Sequence, residues 1–346
     1  MQKGLVSVLT PCYNGERLIS RLLDSLLQQD YPDMEIIIVD DGSTDNTKDI
    51  VYFYKQKFEA KGISLNYIYQ DNGGQSAAIN NGLKYVNGEY LVWPDCDDWY
   101  NNSKAISSFV YELKKLPNEY AEVRCIPTYV SDKSLKPISN PIFKEEYLEP
   151  CQFGKCLYSD GFIWAPGNYI LRMEAFDNVN PQREIYVEKN AGQNWQMHLP
   201  VLYSHKVHTI KDSLHNVLVR AESHSRGQYK TYEQKKAKIR AYENTVIGTL
   251  ERIKEMPENE KRCYKEKINS KYEYERFLLA LSCREYSDAL KLRKSLKTEQ
   301  LKIVNALDRI VFWGGSNYVS LILLNEIMRV VRLIRSGLSR VILFVK

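Results

Sequence analysis

The sequence predicts an α/β fold, a mostly parallel sheet flanked by helices, and three observations carry that expectation. Apolar runs of strand length recur at residues 5–10, 35–40, 65–69 and 90–93. Stretches with apolar residues at helical spacing separate them, the clearest being 17–28 with Leu18, Ile19, Leu22, Leu23, Leu26 and Leu27. Each apolar run also meets a polar loop: ThrProCysTyrAsn, AspAspGlySer, GlnAspAsnGlyGly and AspCysAspAsp. Strands joined through helices make right-handed crossovers, so all of these loops land on one edge of the sheet. Ligands bind outside the carboxyl ends of such strands, which makes that edge the expected site.

Residues 100–225 are less periodic, with Pro and Gly scattered through PheIleTrpAlaProGlyAsnTyr at 162–169 and AlaGlyGlnAsnTrpGlnMetHisLeuPro at 191–200. They read as the second half of the same domain, where an acceptor pocket would be built. From 228 to 302 the chain is rich in Lys, Arg and Glu with apolar residues three to four apart, the pattern of a helical appendage with a solvated face. The expected division is a domain at 1–226, a charged helical region at 227–302 and a basic amphipathic segment at 303–346. Within the last, 327–346 carries Arg329, Arg332, Arg335, Arg340 and Lys346 without an acidic residue. On a helical wheel the arginines fall in one arc, which fits a helix lying on an anionic membrane surface. The other reading is a helix docked on the domain or on a partner. A spanning helix needs about 20 predominantly apolar residues, and the arginines with Gly314, Gly315 and Gly337 interrupt any such run.

Composition sets the class. With 346 residues, 44% hydrophobic, the chain can bury the core of a full α/β domain and still form a second unit. The net charge is +5, but basic residues are interspersed with 43 acidic ones, which argues against a nucleic-acid binder. Seven cysteines, at 12, 96, 125, 151, 156, 263 and 283, have neither zinc-site spacing nor the density of a disulfide scaffold, so reduced thiols are expected. The opening MetGlnLysGlyLeuValSerValLeuThr runs directly into the first strand without a signal-peptide core, which places the expected catalytic part in the cytoplasm or on the cytoplasmic face of the membrane.

Two acidic clusters stand on the expected site edge. Asp40 and Asp41 close one apolar run; Asp95, Asp97 and Asp98 follow another. Carboxylates at that density repel one another unless a cation sits among them, and oxygen ligands of this kind suit a divalent metal. A metal beside a carboxylate that can accept from a base points to a nucleotide diphosphate.

ValSerValLeuThrProCysTyrAsnGly at 6–15, ValAspAspGlySerThrAspAsnThr at 39–47, AsnGlyGly at 72–74, AlaIleAsnAsnGly at 78–82 and AspCysAspAsp at 95–98 together resemble the family 2 glycosyltransferases, in order and in spacing. The likeness is tight over residues 1–100 and looser to 226. It implies a GT-A fold, a nucleotide-sugar donor, a manganese or magnesium ion, and inversion at the anomeric carbon.

The same resemblance assigns roles. Pro11, Tyr13 and Asn14 end the first strand, where the Tyr13 ring can cover a nucleobase. Asp41 matches the position that accepts from the uracil of a uridine donor, with Gly42 and Ser43 in the turn, and Asp40 orients it or caps the turn. Asp97 is the expected direct metal ligand, Asp95 lies nearer the ribose or a metal-bound water, and Asp98 holds the loop or meets the acceptor. Gln75, Ala78 and Asn80 open a helix whose start lets a nucleotide lie close to the backbone. His224 is a candidate third metal ligand and Arg226 a partner of a phosphate oxygen.

One departure matters. Where many family members carry GlyGluAspTrp, with the carboxylate as general base, this chain has GlyGlnAsnTrp at 192–195. An amide cannot take a proton from a hydroxyl at neutral pH. Glu188 is the preferred replacement and Asp160 the other candidate, with Gln193 and Asn194 bonding the acceptor sugar. A phosphoacceptor receiver domain would need a shorter chain and a Lys at a later strand end. A nucleotidyltransferase would carry a basic Gly-rich loop after the first strand, and here no Lys or Arg follows until Arg17. A retaining mechanism and a non-catalytic subunit that binds nucleotide sugar are the alternatives that Gln193 and Asn194 keep open. The expected partners are a UDP-sugar, a glycan or lipid-linked saccharide acceptor in cell-surface polysaccharide synthesis, and the membrane surface.

Overall fold

In the computed structural model, residues 1–139, 143–220, 229–296, 314–315 and 317–329 are described. They group into two compact units, Met1–Gln228 with Asn244–Pro257, and Tyr229–Glu243 with Glu258–Lys346.

The first unit runs β1 (Gln2–Cys12), α1 (Ile19–Leu27), β2 (Met34–Asp41), α2 (Thr47–Glu59), β3 (Ser64–Gln70), α3 (Gln75–Leu83), β4 (Gly88–Val92), β5 (Trp99–Tyr100), α4 (Ala105–Lys115), β6 (Tyr120–Arg124), β7 (Pro127–Ser131), α5 (Phe153–Tyr158), β8 (Tyr169–Arg172), α6 (Met173–Val179), α7 (Asn194–Ser204), β9 (Lys206–Thr209) and β10 (His215–Val219). The main sheet has the order β3-β2-β1-β4-β8-β6-β9. Its first four neighbours pair parallel, so the loops after β1, β2, β3 and β4 emerge on one edge as expected. β8 runs antiparallel between β4 and β6. The α/β class and its flanked, mostly parallel sheet are as the sequence predicts.

Buried on both faces, the central strands read as continuous apolar runs rather than as alternation. Val6, Val8, Ile36, Ile38, Tyr90 and Val92 are in the core with Ile19, Leu22, Leu23 and Leu26 of α1. β1 pairs with β4 as far as Val8↔Val92, whereas on its other side it stays paired with β2 through Pro11↔Val39 and Cys12↔Asp40. α3 lies close on the sheet because Gly82 has no side chain: a Cβ there would meet a Leu9 methyl at 2.1 Å.

A second sheet, β5-β10-β7, is absent from the sequence pattern because β5 has two residues. It matters for the site. β10 pairs antiparallel with β5 through His215↔Tyr100 and Asn216↔Trp99, which lays the end of β10 beside the acidic loop 95–98.

The second unit is helical. α8 (Tyr232–Glu251) begins in it, followed by α9 (Glu258–Ser282) and α10 (Tyr286–Ser295). Phe277, Ala280, Leu281, Tyr286, Ala289, Leu296, Leu321 and Met328 form its core. Among the described residues no helix is long and apolar enough to cross a membrane. Of the basic arc expected at the C-terminus, Arg329 pairs with Glu326 at 3.1 Å, while Arg332, Arg335, Arg340 and Lys346 lie outside the described residues.

Candidate active site

The loops after β1 and β2 are laced together. Ser43 Oγ accepts from the Asn14 N–H at 2.8 Å, and Asn14 Oδ1 accepts from the Thr44 N–H at 2.9 Å. Thr47 Oγ1 accepts from Gly15 N and Asp45 Oδ2 from Glu16 N. Asn14 and Ser43, expected on the nucleotide, therefore build the loop pair that would frame it. Tyr13 stands out from them with its side chain 52% exposed.

Both carboxylates of the first acidic pair are buried and held. Asp40 accepts from the Ser43 N–H at 2.7 Å and the Tyr67 hydroxyl at 2.6 Å, so it caps the turn. Asp41 Oδ1 accepts from Gln70 Nε2 and the Gly73 N–H, and Oδ2 from the Gly74 N–H at 2.8 Å. With two lone pairs per oxygen, Oδ2 keeps one free direction. Gly42 sits at φ +81°, and a Cβ on it would meet Asn72 N at 2.9 Å, so the turn requires glycine.

The helix after GlnAspAsnGlyGly departs from expectation. Ala78 is fully buried one turn before Gly82, and its small size serves helix-to-sheet packing rather than a ligand. Asn80 bonds the backbone of Ile185 in both directions. Gln75 donates to Asp95 Oδ1 at 2.5 Å, so its amide is spent on a carboxylate rather than on a nucleotide. The segment 188–193 lies against this helix start. Glu188 N donates to Ser76 Oγ at 3.1 Å, and a Cβ on Gly74 would meet Lys189 O at 2.9 Å.

Three carboxylates meet at the end of β4: one oxygen each of Asp95, Asp97 and Asp98 lies within 4.8 Å of the others. Asp95 Oδ1 accepts from Gln75 and, at 3.3 Å, from Gln193 Nε2. Burial, then the neighbouring Asp97, raise its pKa to about 7. Asp98 is 3% exposed, and its Oδ1 accepts from the Leu218 N–H at 2.8 Å. Burial, Asp97 and Asp95 push its pKa well up. It holds the loop to β10, the first of the two roles expected of it, and this bond leaves the other Asp98 oxygen for nucleotide sugar or acceptor. Asp97 Oδ2 accepts from Arg220 Nη2 at 2.5 Å and Nε at 3.2 Å. Sequence reasoning passed over Arg220, because only the β5–β10 pairing brings it 123 residues back to Asp97. Cys96, between the aspartates, bonds Cys12 and has its pKa raised by that bond and by burial, so it is no thiolate nucleophile.

α7 completes the group. Gln193 is its N-cap residue and Asn194 its first residue; both side-chain oxygens are buried without a hydrogen-bond partner. Further along, His198 Nδ1 lies 2.9 Å from Glu122 Oε1, both side chains fully buried, which ties α7 to β6. Glu188 is half-buried, and among the described residues its carboxylate has no hydrogen bond or ion pair. Asp160 is exposed beside Lys144 and makes no contact with the cluster. His224 and Arg226 lie outside the described residues.

The oxygen-only cluster fits a hard divalent cation, with Asp95 and Asp97 as the partly exposed members able to hold it. A cavity of about 210 Å³, lined by residues including Tyr186, Gln196, Thr249 and Arg252, contains no member of this cluster.

Residues 7–179 match the family model described as glycosyl transferase family 2. An uncharacterized glycosyltransferase of Rickettsia typhi is 38% identical over 130 residues, 38% of this chain and 38% of that protein. The poly(ribitol-phosphate) beta-glucosyltransferase of Bacillus spizizenii is 42% identical over 110 residues, 29% of this chain and 17% of that protein. The chain thus spans well under half the length of these relatives. Among solved structures, S. aureus TarS 1–349 in complex with UDP-GlcNAc superposes with a TM-score of 0.64 at 17% identity, covering 94% of this chain and 91% of that one.

Proposed function

The chain belongs to the family 2 glycosyltransferases, and from that premise we propose that it moves a sugar, a hexose or N-acetylhexosamine, from a UDP carrier to a glycan acceptor with inversion. The observation that carries this reading is the meeting, at one sheet edge, of the Asp95–Asp97–Asp98 cluster with two buried, unpartnered amide oxygens, Gln193 Oε1 and Asn194 Oδ1. Hydroxyl groups are the donors such oxygens lack, and leaving them unsatisfied costs about 1–3 kcal/mol each.

Tyr13, exposed at the end of β1, covers the base, and the free lone pair of Asp41 Oδ2 accepts from it. Mn²⁺ or Mg²⁺ held by Asp95 and Asp97 would stabilise charge on the departing diphosphate. Glu188 takes the acceptor hydroxyl's proton as that oxygen bonds the anomeric carbon and the bond from that carbon to the phosphate oxygen breaks on the opposite face. Gln193 and Asn194 orient the sugars. TarS, crystallised with UDP-GlcNAc, supports a UDP donor, and the Bacillus relative supports a cell-surface polymer acceptor, carried on lipid or free.

The proposed location is the cytoplasmic face of the membrane, through the segment 303–346. Within that segment, Val319, Leu323 and Ile327, four residues apart and exposed, form an apolar stripe. Cosedimentation of the full chain with anionic vesicles, and not with neutral ones, is the expected result.

The test of activity is UDP release from a panel of UDP-sugars with Mn²⁺ or EDTA, with and without a polyol-phosphate polymer. Metal-dependent release from one donor supports the reading. Binding of UDP-sugar without release under every condition favours the second reading, a non-catalytic donor-binding subunit, for which the Gln193–Asn194 pair is the motive.

A further inference from the structure

Arg220 follows the last residue of β10, and its backbone is anchored because Asp98 Oδ1 holds the Leu218 N–H two residues before it. Its guanidinium places Nη2 and Nε on one oxygen, Asp97 Oδ2, rather than spanning the carboxylate as a fork. Both side chains keep some solvent contact, 29% and 17% exposed, so the pair is partly screened and exchangeable. Among the described residues, Asp132 and Asp95 are further carboxylates whose charges interact with Arg220.

A divalent cation on Asp97 would share with Arg220 the carboxylate that the guanidinium holds through Oδ2, and two positive groups on one carboxylate repel. Arginine has no neutral form to retreat to, and it offers five N–H donors with no acceptor of its own. A diphosphate brings, with the cation, the acceptor geometry that a guanidinium matches.

We infer that Arg220 is an exchanging counter-ion: it holds Asp97 while no cation is bound and turns to the phosphate oxygens when cation and diphosphate enter together. This rests on the donor-and-metal reading above. It predicts opposite signs for one substitution, which a merely structural arginine would not give.

The test compares wild type, Arg220→Gln and Arg220→Lys as full chains. Mn²⁺ binding alone is followed by electron paramagnetic resonance, and binding of UDP and of inorganic pyrophosphate at saturating Mn²⁺ by calorimetry. Arg220→Gln is expected to bind Mn²⁺ alone about three- to tenfold more tightly, because its competitor is gone. It should bind both diphosphates about tenfold or more weakly. Arg220→Lys, which keeps the charge and loses the fork, should match wild type for Mn²⁺ and fall between the two for diphosphate. Affinities that fall together in Arg220→Gln, or diphosphate affinity unchanged because the guanidinium rests on Asp132, overturn the exchange alone. Absence of Mn²⁺ binding in every protein overturns the metal reading as well. Pyrophosphate binding without UDP binding supports the exchange while sinking the uridine assignment.

Discussion

The two acidic clusters on the sheet edge look alike in sequence and are held in different ways. Asp40 and Asp41 are bonded chiefly by the backbone N–H groups of Ser43, Gly73 and Gly74, with the half-buried β3 side chains Tyr67 and Gln70. Among the described residues, the Asp95 and Asp97 carboxylates are bonded by the ends of long side chains, Gln75, Gln193 and Arg220. Backbone donors cannot leave without unfolding a loop, whereas side-chain donors can rotate away. The first cluster therefore frames the site, and the second is the one built to exchange partners. Asp98, bonded to Leu218 N, belongs with the framing group although it stands in the exchanging motif.

The widest separation should come at Glu188, whose carboxylate has no partner among the described residues. Glu188→Gln is expected to lower kcat by about 10²- to 10⁴-fold, the scale of general-base catalysis, with UDP affinity by calorimetry unchanged. A variant that transfers at the wild-type rate removes Glu188 from the mechanism. Asp97→Ala should cost about 10²- to 10³-fold in transfer and abolish the Mn²⁺ response. Its unfolding free energy, measured in urea, should fall by about 1 kcal/mol or less, because only a partly exposed pair is lost.

Asp41→Asn reverses that balance. Its new NH₂ group must face the Gly73 or Gly74 N–H, so unfolding stability should fall by about 1–3 kcal/mol, measured in urea. Equal destabilisation by Asp41→Asn and Asp97→Asn would erase the distinction between the clusters.

A pH slope tests the second cluster by itself. Asp95 has its folded pKa raised to about 7, well above the usual carboxylate value of about 4 in an unfolded chain. Between those values the folded metal-free protein binds the extra proton, so its stability is greatest at the acid end and declines as pH rises through 7. Thermal midpoints of the EDTA-treated protein should drop from pH 5 to pH 8, and Asp95→Asn should flatten that trend. Saturating Mn²⁺ should reverse it, since the cation favours the charged carboxylate.

Sequence alone determined what depends on neighbours within a few residues. Hydrophobic period, turn chemistry and right-handed crossover placed Tyr13, Asp41, Gly73 and Asp95 on one edge, and the family motifs identified that edge. Tertiary structure decided which polar groups are spent and which are free. Ala78 was read as a ligand-facing small residue and packs the sheet instead, because Gly82 draws α3 against Leu9. Gln75 and Gln193 meet on Asp95 across 98 residues of chain between the carboxylate and Gln193, and Arg220 reaches Asp97 across 123. Such meetings are fixed by pairing between short strands such as β5 and β10, which carry no periodic signal. A hydrogen bond's second partner is set by the fold as a whole, so the exchangeable character of the site could be read only there.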